Sequence, residues 1–187
     1  PKLVNADVAW LAVNRMAYAS AVLFSKIDSG SNDPVDFEEA LDVIEEYEPL
    51  VRRAKYGHNL ALMLSLKGEA QMLFGDSEQA FETLQAAKKF CLDRPGCVTF
   101  ERYFRTCVRL AEMASDGQNL VRQSDQAVRD LLSEAKTFVT TRDLGHRTWP
   151  VKRTTDLLTI YRPLCARHCV APFSESNDEQ PPRNTAI

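Results

Sequence analysis

The chain lacks a long apolar run free of charge, an excess of either charge sign, a recognisable catalytic motif and any segment that reads as a β-strand. Its most apolar stretch, "VAWLAVNRMAYASAVLF" from Val8 to Phe24, carries Asn14 and Arg15 at its centre. A lipid-facing helix tolerates such residues poorly, and with Asp7 they also break the apolar core that an export signal needs. No membrane association is therefore expected. A net charge of −3 with a pI near 5.7 removes the usual basic binder of polyanions.

Chemistry is equally scarce. His58, His146 and His168 are the only 3 histidines, and none lies in a nucleophile, zinc-protease or phosphate-loop motif. No enzyme activity and no cofactor are expected. The 5 cysteines (Cys91, Cys97, Cys107, Cys165 and Cys169) are odd in number and irregularly spaced, which favours reduced thiols and a cytoplasmic setting. "CARHC" places Cys165 and Cys169 four apart, on one face of a helix, with His168 beside them. A zinc site there would need further ligands, and buried thiols are the commoner outcome.

What the sequence does hold is helical periodicity over 187 residues, a length suited to one helical domain with a self-sufficient core. Residues 8–27 predict a helix with Trp10, Val13, Ala17, Ala21, Phe24 and Ile27 as its buried stripe, although its other faces are also apolar. "DSGSNDPVD" is a loop, and Asp36 with Glu39 has capping-box spacing for a second helix along Phe37, Leu41, Ile44 and Tyr47. Pro49 is expected to stop or kink that helix, or to begin the next.

Two further helices follow, their turn at Gly75 and Asp76, with Phe81, Leu84, Ala87 and Cys91 as the stripe of the second. Helices are also predicted near 98–113, from Leu120 to Thr141, and from Val151 to His168, making about seven in all. Residues 173–187 lack periodicity and apolar content, so a helical domain over 1–172 with a disordered tail is expected. The tail's acidic "SESNDE" would be able to fold back on the basic region at 142–168.

Charges are segregated. All charged residues from Asp28 to Glu48 are acidic, whereas Arg142, Arg147, Lys152, Arg153, Arg162 and Arg167 make a later stretch basic. These runs are either solvated helix faces or two distinct contact surfaces. "HRTWPVKRTT" sets Trp149 among cations, but no nucleic-acid fold signature accompanies it, so nucleic-acid binding is not expected of this chain alone.

The central stretch, "LSLKGEAQMLFGDSEQAFETLQAA", resembles a tetratricopeptide repeat, the helix-turn-helix unit of about 34 residues. The resemblance rests on Gly68 where paired helices approach, Gly75 at the turn, and Ala80, Leu84 and Ala87 at small, large and small positions. It departs from the pattern at Gln71, where the family has a large aromatic, at Lys67, where it has leucine, and in the late Pro95. Looser echoes involve Trp10, Val13, Asn14 and Ala17 with Ala40 and Ile44, and later Ala127 with Leu131.

The resemblance implies an all-α fold, with antiparallel hairpins stacked as an irregular array. It further implies a groove lined by the first helix of each hairpin, holding a protein or peptide partner. Leu11, Arg15 and Tyr18 would face that groove on the first hairpin, and Leu62, Ser65, Glu69 and Met72 on the central one. Leu62 and Met72 suit core packing equally well. The expected function is an adaptor or scaffold. The alternative is a ligand- or peptide-sensing regulatory domain of a larger transcription regulator, which would need a DNA reader that this chain does not show.

Overall fold

A computed structural model describes residues 6–31, 33–54, 57–73, 76–93, 100–116, 123–141 and 151–172. Among them the protein is all-α, with seven helices and no strand: α1 (Ala6–Asp28), α2 (Val35–Ala54), α3 (Gly57–Leu73), α4 (Ser77–Asp93), α5 (Phe100–Ser115), α6 (Asp125–Thr141) and α7 (Val151–Arg167). Gly75, Trp149 with the cations before it, and the tail at 173–187 lie outside the described residues.

The caps explain several boundaries. Asp76 Oδ1 accepts the Gln79 backbone N–H at 3.2 Å and so starts α4, and Ser124 Oγ does the same for Ala127 at 3.2 Å and α6. At α2 the expected capping box gives way to a cap one turn earlier: Asp33 Oδ1 accepts the Val35 N–H at 3.1 Å. Asp36 lies inside the helix instead, receiving Lys26 Nζ at 2.8 Å and the Ser31 hydroxyl. Pro49 neither stops α2 nor begins α3. It sits within α2 on the exposed face, so the carbonyl one turn earlier that lacks its N–H is on the side open to solvent.

Consecutive helices pair as hairpins: α1 with α2, α3 with α4, and α5 with α6. Within the central hairpin Gln71 Nε2 donates to Gln79 Oε1 at 2.5 Å across a connection of three residues, 74–76, which forces the helices antiparallel. Between hairpins one rule recurs. Helix α3 touches both α1 and α2, α5 touches both α3 and α4, and α7 touches both α5 and α6, whereas the backbones of the even helices stay apart and α4 reaches α6 through the Lys88–Glu134 ion pair at 2.5 Å. Helices α3, α5 and α7 are thus each seated in the groove of the hairpin before them.

Two main cores result. Met16, Leu23, Phe37, Ile44, Met63 and Leu66 fill the first, between α1, α2 and α3. Tyr103, Phe104, Leu132, Leu157 and Tyr161 fill the second, where the rings of Phe104 and Tyr161 meet edge to face at 5.2 Å. Half-buried Phe90 of α4 packs against both.

The face that α1 buries differs from the expected stripe. Ala9, Ala12, Met16, Ala19 and Leu23 are buried, whereas Trp10 is 66% exposed and Ala17 and Ala21 face outward. On a helix apolar all round, periodicity selects no face. The choice falls to the alanines, which let α2 and α3 approach closely.

Candidate partner-binding surface

Glu69 and Ser65, expected on an open groove, are buried at 2% exposure each. The reason is α5, which packs along that side of α3. Glu69 receives a forked ion pair from buried Arg105, with Nη2 2.7 Å from Oε2 and Nε on the other oxygen. Arg109 Nε lies 3.4 Å from the same carboxylate, and Thr106 Oγ1 donates to Ser65 Oγ at 3.2 Å. Arg105 also sets its guanidinium 5.5 Å from the centre of the Phe24 ring of α1. This bidentate pair satisfies the charge it buries. Glu69 is therefore committed to holding α3, α5 and α1 together, and α3 keeps only half-buried Leu62 and Met72 from its expected groove set.

The packing residues of the central hairpin are buried together: Ala80, Leu84 and Ala87 are each 0% exposed. Gly68 lies against them, and a Cβ built there would meet Leu84 Cγ at 2.6 Å. Two of the three departures from the repeat pattern are also accounted for, and the third, Pro95, lies outside the described residues. Lys67 reaches α2, 3.5 Å from Glu45 and 3.7 Å from Glu48, and Gln71 makes the bond to Gln79 described above.

Leu11, Arg15 and Tyr18 are exposed on α1, where Tyr18 is 60% and Leu11 46% accessible. Trp10 and Val8 extend that surface. Beside it, Tyr18, Ala19 and Val22 face Val35, Glu39 and Val43 of α2 across a cleft of about 220 Å³. Trp10 escaped sequence reasoning because it was assigned to the buried stripe. The equality of apolar content around α1 was the available signal that one large apolar face would be left uncovered.

Along α2 the acidic run becomes a solvated ridge. Glu38, Glu39, Asp42 and Glu46 are exposed and have no ion pair among the described residues, while Lys26 at the mouth of the cleft is already bound to Asp36. That bond, and then the one from Ser31, hold the Asp36 carboxyl below the ordinary range.

The "CARHC" segment does not gather ligands. Cys165 is buried inside α7, but Cys169 lies past the helix end, exposed and at a φ of 56°, so the two do not share a helix face. His168 turns inward, with Nε2 2.8 Å from Ser115 Oγ and Nδ1 3.7 Å from Asp125. Among the described residues, no three His, Cys, Asp or Glu side chains converge as a metal site. Desolvation raises the Cys107 and Cys165 thiols above their ordinary value, which keeps both as poor nucleophiles.

A second cleft, about 380 Å³, opens between α5 and α7, lined by Glu112, Ser115, Asp116, Thr159, Pro163 and Arg167 among others. No family model matches this chain, nor does any curated protein or solved structure match it.

Proposed function

We propose that this chain is a non-enzymatic interaction module of tetratricopeptide-like hairpins that holds a partner helix or peptide on α1 and in the α1–α2 cleft. One observation carries the reading: Tyr18, 60% exposed, lines an open cleft against α2, and exposed Leu11 stands two turns before it on the same side of α1. Scattered apolar residues on a surface are ordinary, but large exposed ones lining and continuing a concavity mark a contact site.

The alternation of odd helices seated in preceding hairpins supports the likeness to tetratricopeptide arrays. A cytoplasmic setting accords with this reading, since Cys91, Cys107, Cys165 and Cys169 form no disulfide among the described residues.

The test is a complex isolated from native extract and mapped by hydrogen exchange. Partner capture should be lost on Tyr18→Asp, and the amides of α1 and α2 should gain protection in the wild-type complex. A partner retained by Tyr18→Asp, with protection elsewhere, would reject this site.

A further inference from the structure

Resting on that reading of the α1 face, we infer that its occupant is a basic amphipathic helix, lying in the α1–α2 cleft with Lys or Arg residues against the α2 ridge. The cleft supplies the apolar half of the recognition. Tyr18 and Val22 form one wall, Val43 and Val35 the other, and Val35 is 72% exposed. Leu11 continues the wall two turns toward the α1 N-terminus.

The ridge supplies the charge. Glu39 lines the cleft, and Asp42 and Glu46 follow it at three and seven residues, so they stand on one side of α2. The row from Glu39 to Glu46 is about 10 Å long at the helical rise. A partner helix with cations at i, i+3 or i+4, and i+7 has the same spacing, and its apolar stripe then falls on Tyr18 and Val43. None of the three carboxylates has an ion pair among the described residues, so their charge is available. Arg15 is the one unpaired cation beside this cleft among the described residues, and it ends the anionic stretch on the α1 side.

Two other occupants fit less well. A second copy joined face to face through this cleft would set the same carboxylate row against itself. A membrane surface has support from α1, whose residues Asp7–Asp28 match a membrane span in length and mean hydropathy of 1.2. Yet 33% of that apolar window is buried in the fold, and the ridge beside it would repel anionic headgroups.

The experiment uses the whole chain and a fluorescein-labelled synthetic helix of about 18 residues, long enough to cross the cleft. Its apolar stripe is leucine and its flanks are lysine, and a twin peptide carries glutamate in place of every lysine. Anisotropy should show the lysine peptide binding about tenfold or more tightly over its twin, with the difference shrinking as salt rises. Glu39→Lys with Glu46→Lys should reverse the preference, Arg15→Glu should strengthen lysine-peptide binding, and Tyr18→Asp should abolish it.

Equal affinity for both peptides, still lost on Tyr18→Asp, would overturn the basic partner while leaving the docking site intact. Failure of both peptides, or binding indifferent to Tyr18→Asp, would overturn both. Light scattering that shows a dimer dissolved by Tyr18→Asp, or sedimentation with phosphatidylserine vesicles that Tyr18→Asp removes, would assign the face to a second copy or to lipid and overturn the inference. The substituted residues are exposed, and unchanged thermal unfolding would verify that each variant is folded.

Discussion

Gly68 of α3 lies so close to Leu84 of α4 that a methyl group on its Cα would sit 2.6 Å from Leu84 Cγ and 2.8 Å from Cδ2. Leu84 is fully buried and cannot swing aside. Gly68→Ala gains about 1 kcal/mol of helix propensity, but overpacking costs about 1–3 kcal/mol. A net loss of roughly 1 kcal/mol is expected from urea unfolding. Adding Leu84→Ala should relieve the clash, so the double substitution costs less than the sum of the singles.

Glu69 and Arg105 form the most consequential buried polar contact. Removing one partner strands the other's charge, so Glu69→Ala should destabilise the fold by about 3–5 kcal/mol. Replacing both, as Glu69→Leu with Arg105→Met, should recover most of that loss, because well-packed apolar residues substitute for a buried pair. Arg109, already paired with Glu112 at 2.8 Å, would retain that partner in the double variant. Denaturant midpoints of the two singles and the double would measure the coupling.

Stability at acid pH should report on Asp36. Its folded-state pKa is lowered, chiefly by the hydrogen bond from Lys26 and then by that from Ser31. A lowered carboxylate contributes fully above its unfolded value of about 4 and loses that contribution as pH falls through the lower folded value. Urea midpoints followed from about pH 6 to about pH 2 should therefore drop more for wild type than for Asp36→Asn.

The thiols should divide by burial. Cys169 is exposed, whereas Cys91, Cys107 and Cys165 are buried. In a Cys97→Ser background, a thiol reagent at mildly alkaline pH should find one fast site, absent after Cys169→Ser. The remaining three should react only as the fold opens.

Elements whose signals are local were legible in the sequence. The central hairpin followed from Gly68, the Asp76 cap and the Ala80, Leu84 and Ala87 stripe, and the all-helical class from periodicity throughout. The misses depended on distant partners. Ser65 and Glu69 read as surface because they are polar at helical spacing, and only Arg105 and Thr106, about forty residues on, explain their burial. On α1 the buried face was chosen by small residues fitting α2 and α3, a matter of shape that a hydrophobic stripe does not encode. Asp33 capped α2 ahead of the more conspicuous Asp36 and Glu39 pair because Pro34 already sets the turn that leads into the helix.

A linear stack of hairpins ordinarily loosens from its ends, each unit depending only on its neighbours. Here the guanidinium of Arg105 passes beyond α3 to the Phe24 ring, so the first and third hairpins share a side-chain contact although their helices are not adjacent. Opening α1 at that point also disturbs the charge pairing of α5 with α3. The amides around Phe24 should accordingly exchange with those around Arg105, as parts of a single cooperative unit spanning three hairpins.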